Sequence, residues 1–173
     1  MHKELPDDVA ASVAADFGAR FERVARSFDQ QANIVTETIE KLESAIASAL
    51  THKANTPKDA AVASDIRQFV RSMPDGKRMD WMHDRIKDGD VENISAVLAS
   101  PWVAGLDRQQ AETVRDLASQ CLAPVEYSQR DAARKLSAHL QSASQIFVER
   151  YQRMLPKVRP DSVTAASKKL REG

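Results

Sequence analysis

Cys121 is the one thiol in the chain, and His83 and His139 are imidazoles of the kind that turn a thiol into a nucleophilic thiolate. A reactive cysteine needs exposure and an electropositive setting. Cys121 instead follows Leu117 by four residues and Val114 by seven, on what reads as the apolar stripe of a helix. That spacing predicts a small buried thiol that packs and does no chemistry.

Asp80, His83, Asp84, Asp88 and Asp90 fall within eleven residues, and the first three share a helical face where oxygen and nitrogen ligands could converge on a divalent ion. A calcium loop counted from Asp88 fails, because Asn93 stands where the turn needs glycine and Ala99 where a bidentate glutamate belongs. Arg85 and Lys87 interleave the acids, the pattern of a solvated helix surface. Gly76-Lys77 has neither the upstream glycine nor the following Ser or Thr of a phosphate loop. Glu37 and Glu40 beside Lys41 read as surface ion pairs, and His139, next to Leu136 and Leu140, as the edge of a packed face. The expectation is therefore a non-enzyme with no catalytic, cofactor-binding or metal-ligating residue.

Two features suit partners better than substrates. Trp102 lies in a short apolar loop, Pro101-Trp102-Val103-Ala104-Gly105-Leu106, and either anchors a partner's pocket or plugs the chain's own core; the burial habit of large aromatics favours the plug. Residues 150–173 carry seven basic and two acidic groups, a local charge of +5, whereas the rest of the chain is −5 and the total is zero. Lys157, Arg159, Lys168, Lys169 and Arg171 could meet phosphates or an acidic surface. No aromatic residue interleaves them to stack bases, so nucleic acid is not the expected partner, and a neutral chain has no global field toward nucleic acid or an anionic membrane.

These residues must be carried by helices. No alternating run with β-branched enrichment and hairpin punctuation occurs, and composition is helical: 42% apolar, 29% charged, 5 Gly and 7 Pro in 173 residues. A first long helix is expected over residues 6–52. Along it Phe21, Phe28, Val35 and Leu42 alternate with Ala25, Ala32, Ile39 and Ile46 by four and three residues, the narrow seam of a coiled coil. Phe21, Phe28, Val35, Ile39, Leu42 and Ile46 are the expected helix-packing residues.

Short helices should fill residues 57–122. They begin at the capping pattern Thr56-Pro57-Lys58-Asp59, stop at Gly89, and restart after the caps Asp90 and Asp107. One of them buries Val62, Ile66, Phe69, Val70 and Met73. A second long helix should cover residues 124–155, with Val125, Ala132, Leu136, Leu140, Ala143, Phe147, Tyr151 and Met154 on one face; a basic tail follows over 156–173. The architecture expected is a single elongated all-α domain, its two long helices antiparallel around a compact cluster of short ones.

A lone cysteine points to no oxidising compartment, and neither an apolar leader nor an 18-residue apolar run is present. The stretch Ile86-Lys87-Asp88-Gly89-Asp90, then Ala96-Val97-Leu98-Ala99, then Pro101-Trp102 and Gly105-Leu106 resembles small helical proteins associated with the virions and assembly of tailed bacteriophages or prophages. The resemblance is confined to about residues 81–117. It implies a structural or assembly component that packs against copies of itself or other structural proteins, in the bacterial cytoplasm or the virion. The other reading is a small regulatory or inhibitory module that docks on a host protein through Trp102 or the basic tail.

Overall fold

The computed structural model describes residues 7–53 and 56–154, apart from the side chains of Asp7, Asp8 and Ala10. The basic tail residues Lys157, Arg159, Lys168, Lys169 and Arg171 lie outside the described residues. Within them every regular element is a helix: α1 (Asp7–Ala49), α2 (Pro57–Ser72), α3 (Asp75–Lys87), α4 (Val91–Ala99), α5 (Arg108–Leu122) and α6 (Pro124–Met154). The chain is all-α, and α1 runs 43 residues without a break.

The helix boundaries follow local chemistry. Thr56 and Asp59 form the reciprocal box at the start of α2, each side chain accepting the other's backbone N–H, and Asp107 with Gln110 does the same for α5. Asp90 caps α4 by accepting from Asn93 N. Gly89, with φ 69°, supplies the left-handed residue that ends α3. Pro124 starts α6, where its missing N–H removes a donor that would have had no partner.

The chain divides into two compact units, residues 38–133 and the remainder. The first holds the hydrophobic core. Val70 of α2, Met82 and Ile86 of α3, Ile94 and Val97 of α4, and Val114 and Ala118 of α5 are buried together. Ile46 and Leu50 join them from the end of α1, as do Ala104 and Leu106 from the loop before α5. Close backbone approach here is α2 on α4 and α3 on α5. Phe69, expected on the buried face of α2, is instead 55% exposed and meets Trp81 edge-on, because Ile66 and Val70 already fill that face.

In the second unit, α1 supplies residues 7–37 and α6 residues 134–154. Rings join them: Phe17 stacks on Tyr151 at 5.2 Å, Phe21 on Phe147 at 5.0 Å and on Tyr151 at 3.7 Å, and Phe28 tilts against Phe147 at 5.8 Å. Numbers that rise along α1 meet numbers that fall along α6.

Candidate interaction surfaces

The ring ladder is built on a strict heptad. Positions alternating by four and three along α1 are Ala14, Gly18, Phe21, Ala25, Phe28, Ala32, Val35, Ile39, Leu42, Ile46 and Ala49, and all but Ala32 are partly or wholly withdrawn from solvent. Phe21, Phe28 and Val35 lie in the ring-bearing unit, where Val35 is the one buried residue among those described. Ile39, Leu42 and Ile46 lie in the other unit, where Ile46 belongs to the short-helix core. One stripe thus serves two packing jobs.

On α6 the structure corrects the expected face. Val125, Ala132, Leu136, Ala143 and Met154 are exposed. From Arg130 onward the positions turned inward are Arg130, Ala133, Ser137, Leu140, Ser144, Phe147 and Tyr151, again alternating by three and four. Counting apolar residues placed Leu140, Phe147 and Tyr151 correctly but drew in outward positions as well, because the seam that holds those three also passes through two serines, Ser137 and Ser144.

Trp102 also departs from expectation, for it is 76% exposed. The loop that carries it is a turn closed by Val103 N to Ser100 O at 3.1 Å and Leu106 N to Pro101 O at 2.9 Å. Ala104 and Leu106 point into the core, which leaves the indole no place there. Beneath the loop, Arg78 donates to Gly105 O at 2.8 Å, to Val70 O at 3.2 Å and to Arg71 O at 3.0 Å, and pairs with Asp75 at 2.6 Å. Its side chain is only 15% exposed, so one guanidinium ties the end of α2 and the start of α3 to the Trp102 loop. Gly105 has φ 82°, and a Cβ there would stand 3.0 Å from the Arg78 guanidinium. The loop therefore requires both a left-handed residue and a missing side chain at this position.

A polar network secures the α5–α6 corner. Tyr127 donates to Asp116 at 3.0 Å, Gln120 donates to Asp116 at 2.8 Å and to Tyr127 Oη at 3.1 Å, and the Arg130 guanidinium lies 4.5 Å over the Tyr127 ring. Nothing in the spacing of these residues, or in the 27-residue interval between Arg78 and Gly105, announces either arrangement in the sequence.

The residues singled out for chemistry scatter. Cys121 is exposed, not buried: Ala118 and Ser119 take the inward positions of that turn of α5. Asp88 and Asp90 both pair with Arg85, at 3.0 and 3.4 Å, and Asp80 pairs with Lys77 at 3.8 Å. Burial acts to raise the Asp90 carboxyl, but the side-chain and backbone bonds from Asn93 and the Arg85 guanidinium outweigh it and hold the group below its ordinary value. Among the described residues no cluster of three or more His, Cys, Asp or Glu could hold a metal ion, and no helix is long and apolar enough to cross a membrane. His139 is exposed on α6. No family model, curated protein or solved structure matches the chain.

Proposed function

We propose that the chain is a non-enzymatic structural or assembly protein that works by helix packing, with residues 7–37 and 134–154 forming an antiparallel coiled-coil hairpin. The observation that carries this reading is the pairing of two heptad stripes through ring contacts, Phe21 and Phe28 against Phe147 and Tyr151, with Phe17 beside the seam stacked on Tyr151. An unbroken 43-residue helix with a heptad seam presents side chains at fixed intervals, as a rod that packs against other helices does. The likeness of residues 81–117 to phage virion and assembly proteins points the same way, toward a life in the bacterial cytoplasm or the particle.

The test is the size of the native species. In extracts of cells that make it, the protein should migrate in complexes well above its 19.2 kDa, and Phe21→Ala with Phe147→Ala should release it from them. Free migration of the unaltered protein at monomer size would overturn the reading.

A second reading has an observation of its own. Trp102 is solvent-facing on a loop held rigid by Arg78, which is how an interface anchor is presented: large, apolar and preorganised. On this reading the protein is a small regulatory module that seats Trp102 in a pocket of another protein. Trp102→Ala would then abolish binding, while assembly through the hairpin would be unaffected.

A further inference from the structure

The hairpin carries a second apolar stripe on each helix. Val13, Val24 and Ile34 on α1 are 53%, 41% and 55% exposed; Leu136 and Ile146 on α6 are 50% and 52% exposed, and Ala143 lies between them. On each helix these positions fall within an arc of about 80°, centred roughly 95° around the axis from the ring seam at 3.6 residues per turn. In an antiparallel pair the two arcs flank the seam on the same side, so they form one face, which Arg20 on α1 and Arg150 on α6 interrupt at one end. The Phe21–Phe147 stack sets the register, and it brings Val24 level with Ile146 and Ile34 level with Leu136 to within two residues. The result is two aliphatic tiers about 15 Å apart. The small tier of Ser27 and Ala143 separates them, together with Gln31 and His139.

We infer that this face is covered by the same face of a second copy of the chain, making a four-helix bundle about a twofold axis; the inference rests on the hairpin reading above. Three observations select a second copy. First, the hairpin has almost no core of its own, since Val35 alone is buried among its described residues and its rings are only partly withdrawn from solvent. Second, the face is of dimer size. A hairpin about 20 Å wide and about 30 Å long over residues 134–154 offers roughly 600 Å² per copy, or about 1,200 Å² in all, the lower end of specific interfaces.

Third, the charges along its rim are self-complementary. Arg23 and Glu37 border the face on α1, Lys135 and Glu149 border it on α6, and all four are exposed. A twofold axis along the helices sets Glu37 opposite the other copy's Lys135 and Arg23 opposite its Glu149. An axis across them sets Arg23 opposite Glu37 and Lys135 opposite Glu149. Both place unlike charges together at the rim, but an axis along the helices also sets Arg20 against the other copy's Arg150, whereas an axis across them keeps these two apart and is the arrangement the charges favour. Over the whole segments, residues 7–37 hold six acids and three bases and residues 134–154 four bases and one acid, so −3 is balanced by +3.

Sedimentation equilibrium on the purified full chain tests this. Wild type should sediment at twice 19.2 kDa at tens of micromolar, as an interface of this size allows. Leu136→Glu should weaken association at least tenfold, and Ala143→Glu, at a site already facing solvent, should do the same with less risk to folding. Both should keep the wild-type helical circular dichroism. Glu37→Lys, which opposes like charges under either axis, should weaken it several-fold and in a salt-dependent way. Val148→Glu, exposed on the other flank of α6, should leave the dimer intact. A monomeric wild type at 100 µM, or a dimer broken by Val148→Glu and indifferent to Leu136→Glu and Ala143→Glu, would overturn the inference. Were the purified chain monomeric but native complexes large, the second copy would be excluded and the assembly reading would stand with a different partner.

Discussion

Replacing Gly105 by alanine should harm this protein more than replacing Gly89 by alanine, although both glycines are left-handed, at φ 82° and 69°. Each substitution forces an L-residue into that region at a cost of about 1 kcal/mol. At Gly89 nothing lies within 4 Å of the added Cβ, so the cost ends there. At Gly105 the new carbon meets the Arg78 guanidinium at 3.0 Å, and the guanidinium cannot retreat freely because it is bonded to the carbonyls of Val70, Arg71 and Gly105. Losing or stretching one or two of these charged bonds adds about 2 kcal/mol. The expected totals are about 3 kcal/mol for Gly105→Ala and about 1 kcal/mol for Gly89→Ala. Urea unfolding followed by circular dichroism reads both. In an Arg78→Ala background the gap should close, since the obstructing group is gone. Equal costs for the two glycines in the wild-type background, or a gap that survives Arg78→Ala, would refute the clamp.

Trp102→Ala should change stability by no more than about 0.5 kcal/mol, because an exposed indole contributes little to the fold; a loss of several kcal/mol in a thermal melt would show that the residue is packed after all. Cys121 should react with a maleimide in the native protein at nearly the rate of the urea-unfolded chain, and strong native protection would contradict its exposure. The depressed Asp90 carboxyl contributes stability that is fully present above its ordinary value of 3.8 and is lost as pH falls through the lower folded value. Asp90→Asn, which keeps an acceptor at the cap, should therefore flatten the acid limb of a pH–stability curve below about pH 4 and leave stability near neutrality within about 1 kcal/mol.

Much of this structure was determined locally, and the sequence alone carried it. The boundaries of α2, α4 and α5 are written in Thr56, Asp90 and Asp107, whose side chains satisfy amides that a helix start leaves free, and the stop after α3 is written in Gly89. The heptad of α1 was equally legible, because its seam positions are nearly all apolar and no proline interrupts them. On α6 the tertiary structure decided. The inward stripe contains Ser137, Ser144 and Arg130, while Leu136, Ala143 and Met154 face outward, so hydropathy alone found Leu140, Phe147 and Tyr151 but not the stripe that joins them. Burial of a residue depends on what lies opposite it, and the three phenylalanines of α1 fix which face of α6 is needed. The same holds for Trp102 and Cys121, each read as buried from its own neighbours and each turned outward. Ala104 and Leu106 in one case, and Ala118 and Ser119 in the other, already occupy the space within. A helix or a cap is set by residues a few places apart; which of two apolar stripes is covered is set by residues more than a hundred places away.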